Sequence, residues 1–163
     1  MPSITVSEAR SDAEQAQAFD IRRRVFVLEQ RIGEALEFDE HDRAARHLLA
    51  RGDGVPIGTL RLRLLERGRI ARIERVAVLA EGRGASVGQE LMRAALELAR
   101  DAGAASALVH AQTRVQGFYA RLGFAACGRE FMEDGIPHVA MRLPLTDAGG
   151  QGARQERESG GAG

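Results

Sequence analysis

The spacing of apolar residues changes several times along the chain, and each change marks an element. Ile4 to Glu8 alternates apolar with polar, the period of a strand with one buried face. Ser11 and Glu14, three apart, form a capping box. They open a helix whose apolar stripe runs Ala18, Ile21, Val25 and Leu28, widened by Phe19 and Phe26. The acidic stretch EALEFDEHD separates this helix from a strand at His47 to Arg51. Turn residues in RGDGVPIG then introduce Thr59 to Leu65, where Leu60, Leu62 and Leu64 alternate with Arg61 and Arg63, and ERGR leads into Ile70 to Val78. Consecutive strands joined by such short turns pair antiparallel.

From Val87 the period lengthens to 3.6. Val87, Leu91, Ala94, Ala95, Leu98 and Ala102 share one side, with Glu90, Arg93, Glu97 and Arg100 opposite, which predicts an amphipathic helix closed by Gly103. Ala107 to His110 is a short buried strand, Arg114 to Leu122 a short helix ending at Gly123, and Phe124 onward a final pair of strands turning at EDGIP. The helix between Val78 and Ala107 is a crossover, so those two strands are expected to be parallel. The order β α β β β α β α β β predicts an α/β fold with a mixed, mostly antiparallel sheet flanked by helices. One domain is expected over residues 1–145. Residues 146–163, rich in glycine and charge and without periodicity, are expected to form a disordered tail.

Composition narrows the function. The chain carries 23 basic and 23 acidic residues, and no general field for nucleic acid or acidic membranes is expected from that balance. Every basic residue is arginine, so no lysine is available for Schiff-base chemistry. Cys127 is alone, which excludes an intrachain disulfide or a multi-cysteine zinc cage, and it is expected as a small core residue. No metal site is expected: His41 and His47 lack a regular ligand spacing, and His110 sits in an apolar strand. Arg22, Arg23 and Arg24 are consecutive on a helix and are expected as a surface feature. The opening residues lack a charged-then-apolar signal, and no apolar run approaches the roughly 18 residues of a membrane span, so a cytoplasmic protein is expected.

The stretch EGRGASVGQELM, residues 81–92, lies between a strand and the long helix. A strand that runs through glycines into a helix leaves unpaired N–H groups where the dipole favours an anion. Gly84 and Gly88 permit close backbone approach, and Arg83 can add a charge-assisted fork. The same glycines would also serve a plain strand-to-helix turn. A P-loop fits poorly, because Gly88 is followed by Gln89 and Glu90 rather than Lys and Ser or Thr. A dinucleotide loop fits poorly too, because it would follow the first strand of a parallel sheet.

The loop resembles that of the GNAT superfamily of acetyl-CoA-dependent N-acetyltransferases: Arg or Gln, two residues, Gly, one residue, Gly or Ala. Here it runs Arg83, Gly84, Ala85, Ser86, Val87, Gly88. Ser86 replaces the first family glycine and can still offer its backbone N–H if its φ stays negative. Four further blocks and the last hairpin carry the resemblance over residues 2–143: IRRRVFVLEQ, EFDEHD, RIERVAV, AQTRVQGFYARLGF and DGIPHVAM. They are similar to the small bacterial YjcF/ElaA-like subgroup. The resemblance implies about seven strands, splayed between the fourth and fifth, with the pantetheine arm of acetyl-CoA in the gap against the backbone of Val76, Ala77 and Val78. Many members have an asparagine seven residues before the tyrosine; this chain has Gln112.

Acetyl transfer needs a neutral amine, a polarised thioester carbonyl and a proton for the departing thiolate. Tyr119, the only tyrosine, stands where the family has its general acid, and a phenol stays protonated at neutral pH. Its other reading is a packing residue with its hydroxyl at the sheet edge. Glu74 interrupts an apolar run just before Val76; partial burial would raise its pKa and suit it as a base, acting through water. An ion pair with Arg72 or Arg75 is its alternative role, and a bulge would change the face it occupies. Glu29, Glu37, Asp39 and Glu40 are candidates to attract an ammonium group, and His138 to line the same cleft. The expected function is direct acetyl transfer to a primary amine of a small molecule, in a chain that can form a homodimer as the family often does. A non-catalytic acyl-CoA-binding module and a protein-modifying acetyltransferase are the alternatives.

Overall fold

The computed structural model describes residues 3–145, so the expected tail at 146–163 lies outside the described residues. The chain runs β1 (Ile4–Glu8), α1 (Asp12–Arg22), a π-helical turn at Arg23–Glu29, α2 (Glu34–Glu37), β2 (Arg46–Gly52), β3 (Val55–Leu65), β4 (Ile70–Val78) and α3 (Val87–Asp101). It continues through β5 (Ser106–Gln112), α4 (Gln116–Arg121), β6 (Ala125–Ala126), β7 (Phe131–Glu133) and β8 (Ile136–Pro144). The strands form one sheet in the order β1-β2-β3-β4-β5-β8-β6, with β7 paired to β8. Each element expected from periodicity is present. β6 and α2 are additions, too short to leave a periodic signal.

Alternation along β2 divides the interior into two layers. Leu48 and Ala50 join the larger core with Leu91, Met92, Ala95 and Ala99 of α3, whereas Leu49 joins Ala18 and Ile21 of α1 on the opposite face. The α1 capping box forms as expected, with Glu14 N–H donating to Ser11 Oγ and the Glu14 carboxylate accepting from the Ser11 N–H. Past Arg22 the helix widens, with Gln30 N–H donating to the Val25 carbonyl. The apolar stripe falls out of phase there: Val25 and Phe26 are buried, but Leu28, expected on the same stripe, is 67% exposed.

Two irregularities in β4 build the gap at the centre of the sheet. It pairs in parallel with β5 only at Ile70–Arg72, opposite Ser106–Leu108; beyond Arg72 the two strands part. Against β3 the register skips between Thr59 and Arg61, so that Arg75 and Val76 together oppose Leu60. This is a bulge on β4, with Arg75 in the left-handed region at φ 55. The extra residue reverses the parity of the strand. Ala71 and Ile73 face the α3 side before it, Val76 and Val78 after it, and Ala77 turns to the α1 core.

Candidate functional site

Two cavities meet at the open end of the β4–β5 gap. One, of about 490 Å³, lies at the N-terminus of α3 against Val76, Val78, Arg83, Gly84, Ser86 and Gly88. The other, of about 170 Å³, is lined by Phe26, Gln112, Glu133 and His138 among others. Val76, Val115 and Tyr119 belong to both walls.

The glycine-arginine loop is wound for an anion. Gly84 (φ 83) and Ser86 (φ 65) are both left-handed on either side of Ala85. Alternating hand of this kind turns successive N–H groups to one side. The condition placed on Ser86, a negative φ, is not met: the turn into α3 puts it in the left-handed region, at a cost of about 1–2 kcal/mol for serine. No side chain caps α3, so its first N–H groups remain free of intrahelical and capping partners. A Cβ on Gly88 would stand 3.2 Å from Phe118 Cζ, so a larger residue there would push the Phe118 ring back by a few tenths of an ångström. Val87 itself is buried in the core. The Arg83 guanidinium donates to the Val78 carbonyl at 3.0 Å and to Glu29 at 2.6 Å. Glu29 is thus brought to the loop rather than to the smaller cavity.

Tyr119 reaches the gap from α4 and is 7% exposed. Its ring packs edge-on against Phe118 and Phe124 at 5.0 and 5.9 Å. Burial pushes the phenol up to about 12, so it holds its proton across the physiological range.

Glu74 behaves otherwise than expected. Its Oε2 accepts from Arg61 Nε at 2.9 Å and also from Arg61 Nη2, and its Oε1 accepts from Arg63 Nη2 at 2.7 Å. Arg72 Nε lies 2.9 Å from Oε1, off the N–H axis, making an ion pair without a hydrogen bond. Burial alone would raise its pKa, but the hydrogen bonds from Arg63 and Arg61 outweigh it and hold the carboxyl below its ordinary value. A carboxylate so held is a poor proton acceptor, which corrects the expectation of a raised pKa.

Glu74 is one end of a buried ionic cluster under α1. Arg61, 1% exposed, also donates to Asp39 and Asp42 at 2.6 and 3.0 Å. Burial disfavours the Arg61 charge, but its bonds to Asp39 and Glu74 more than offset that and raise its pKa. Arg22 is fully buried between the rings of Phe19 and Phe38. It donates to Glu37 at 2.8 Å, to Asp42 at 2.6 Å and to the Glu37 carbonyl at 2.7 Å. This corrects the expectation of a surface Arg22. Glu37 and Asp39, expected to attract an ammonium, are occupied by arginines instead, including Arg75 at 3.0 and 3.3 Å. Burial raises Glu37 despite Arg22 and Arg75. Glu40 is exposed and points away from the cluster.

His47 is buried beside it, its Nε2 donating to the Asp42 carbonyl at 2.9 Å while Nδ1 has no partner; burial lowers its pKa. Cys127 is exposed, correcting its expected core position, because β6 lies at the sheet edge.

The smaller cavity brings Gln112 and His138, named from the sequence, together with His110 and Glu133, which were not expected at the site. Gln112 donates from Nε2 to Gln30 at 2.9 Å, accepts from Arg114 at 2.9 Å, and pairs across the sheet with His138. His110, expected only as a bland residue of an apolar strand, lines this cavity. Its Nδ1 stands between Arg72 Nη2 at 2.9 Å and Glu133 Oε1 at 3.3 Å. The His110 contact, with Arg72 nearby, outweighs the opposing effect of burial and leaves Glu133 lowered. Glu133 was visible in sequence only as part of the turn EDGIP. Among the described residues no group of three or more His, Cys, Asp or Glu side chains is placed to hold a metal ion, and no helix is long and apolar enough to cross a membrane.

A mixed sheet splayed beside a helix N-terminus, with a tyrosine in the opening, defines the class of the fold as that of acyl transferases using a thioester. Comparison with known proteins agrees. Residues 9–145 match the family described as Acetyltransferase (GNAT) domain. The chain is 37% identical over 146 residues to the uncharacterized protein YyaT of Bacillus subtilis, covering 88% of this chain and 97% of that one. It is 33% identical over 134 residues to the uncharacterized N-acetyltransferase YjcF of the same organism, covering 82% and 94%. The structure of Escherichia coli ElaA superposes with a TM-score of 0.73 at 27% identity, covering 87% and 99%. The chain belongs to the GNAT acetyltransferase family, is of the YjcF/ElaA-like type, and is an acyltransferase.

Proposed function

We propose that this enzyme moves an acetyl group from acetyl-CoA directly to a primary amine of a small molecule, with Tyr119 protonating the departing thiolate. The observation that carries the reading is the meeting of two cavities at Tyr119. Acetyl-CoA, the co-substrate that the family implies, suits the larger one. The uncapped N–H groups of α3 and the left-handed loop Gly84–Ser86 are chemically matched to diphosphate oxygens. Arg83 can exchange Glu29 for phosphate, and beyond Arg72 the β4 edge has no pairing with β5, so main-chain groups of Val76 and Ala77, and of Val78 once Arg83 turns to phosphate, suit a pantetheine amide.

The chemistry the thioester supplies is an activated acyl carbon. Tyr119 contributes a buried phenol that keeps its proton until a strong base forms beside it. A backbone N–H near Val76, at the bulge, is the donor that the family pattern implies for the thioester carbonyl. Gln112, held by Gln30 and Arg114, is placed to bond either substrate. The smaller cavity, about 170 Å³, compares with the roughly 150 Å³ that houses a benzene ring. That size favours a small amine over a peptide segment.

The test is a screen of primary amines against released CoA thiol, with mass spectrometry of the product, repeated with Tyr119→Phe. Acetylated amine from the parent enzyme, and little from the variant, supports the reading. Calorimetric binding of acetyl-CoA with no thiol release from any amine would instead identify a non-catalytic acyl-CoA-binding module.

A further inference from the structure

We propose that His138, backed by Glu133, is the group that takes the proton from the acceptor's ammonium; this rests on the amine-transfer reading above. His138 Nδ1 lies 2.7 Å from the Ile136 carbonyl. A carbonyl oxygen only accepts, so Nδ1 carries the hydrogen, and in its neutral form the ring has its lone pair on Nε2. Nε2 faces Glu133 Oε2 at 3.5 Å. In that form two acceptors confront each other with no hydrogen between them. A donor that bonds both, such as a primary ammonium, resolves the confrontation.

The surroundings fix this pair in place. Phe131 stacks on the His138 ring at 5.9 Å and 25°. Glu133 is held from its other oxygen by His110 at 3.3 Å, with Arg72 4.0 Å away. Tyr119 faces the same cavity from α4. The other carboxylates on that wall are committed: Glu74 to Arg61, Arg63 and Arg72, and Glu37 to Arg22 and Arg75. Asp134, also on the wall, sits at the exposed tip of the β7–β8 turn.

Protons and electron pairs balance across the transfer. His138 Nε2 accepts one proton from the ammonium, and Glu133 stabilises the imidazolium. The amine lone pair then forms the C–N bond to the acyl carbon as the C–S bond breaks. Tyr119 gives its proton to the leaving thiolate and regains one from the nitrogen that has become an amide. His138 releases its proton to solvent.

The test is the pH dependence of kcat/KM with the best acceptor of the amine screen, for the parent enzyme, His138→Gln and Glu133→Gln. His138→Gln is expected to lose roughly 100-fold near neutral pH. The loss should shrink as pH approaches the amine's own pKa, which moves the acidic limb upward, while acetyl-CoA binding by calorimetry is unchanged. Glu133→Gln should lose less and move the limb the other way, downward, because the imidazolium loses its counter-charge, and it carries the test if His138→Gln fails to fold. An active variant with an unmoved limb overturns this proposal alone. A parent enzyme that transfers to no amine overturns the transfer reading and this proposal with it.

Discussion

The ionic cluster under α1 and the mouth of the β4–β5 gap use the same residue types to opposite ends. Beneath α1 the Glu74 carboxylate is enclosed by three guanidiniums, and Arg22 and Arg61 spend their donors on Glu37, Asp39, Asp42 and Glu74. At the mouth, Glu133 and His138 confront each other 3.5 Å apart, Tyr119 is held by aromatic contacts, and α3 begins without a cap. A satisfied charge is structural because it has nothing left to offer. A charge or lone pair kept short of partners is available to a substrate. Burial alone therefore does not identify a catalytic carboxylate: Glu74 is the more buried of the two, yet its neighbours remove its basicity.

The largest effect expected is from breaking the closed region. Arg61→Ala leaves Glu74, Asp39 and Asp42 without their shared cation and should cost about 3–5 kcal/mol of stability, measured by urea unfolding. Glu74→Gln should also destabilise the fold, by about 3 kcal/mol, because three guanidiniums lose their common anion. The acidic limb of its pH–rate profile should stay where it is; a shifted limb would return Glu74 to the role of base. In the open region Tyr119→Phe is expected to lower kcat by about two orders of magnitude with little change in acetyl-CoA affinity or melting temperature.

Acid should separate the regions further. Glu74, Asp39 and Asp42 have folded pKa values below their ordinary ones. Their stabilisation is therefore present above the ordinary carboxylate range and is lost as pH falls through it. His47, also lowered, adds a loss in the same direction, beginning below the ordinary imidazole value of 6.5. Glu37, raised, works the opposite way but is one group. Melting temperature is expected to decline steadily on acidification below about 6.5 and steeply below about 4. The smallest effect is at the loop: Glu29→Ala frees Arg83 and should tighten CoA binding by up to about fivefold, the range of an exposed ion pair, by calorimetry at low salt.

The open region was more legible in sequence than the closed one. Glycines and an arginine between a strand and an amphipathic helix mark a helix end without alignment or coordinates, and FYARLGF places Tyr119 on a short helix. The alternation of Leu60, Leu62 and Leu64 with Arg61 and Arg63 reads as a half-exposed strand, since periodicity reports only that two faces differ. It cannot report that α1 and EFDEHD cover the arginine face. The complementary signs of RLRL and EFDEHD were the available clue. Likewise Glu74 shares its face with Arg61 and Arg63, while the bulge at Arg75 sets the facing of Val76, Ala77 and Val78, and a bulge leaves no periodic trace. Glu133 and His110 were missed because their meeting depends on the β5-β8-β7 pairing, which joins residues 23 apart.

The choice of guanidinium throughout the cluster has a chemical consequence. Amines at neutral pH are exposed to acylation by any thioester that lingers nearby, whereas a guanidinium that never gives up its proton is not a nucleophile. Arg72 and Arg75 on the wall of the smaller cavity, and Arg22, Arg61 and Arg63 in the cluster behind it, are cations that a thioester leaves unmodified, and with no lysine in the sequence the chain offers no side-chain amine to compete with an acceptor.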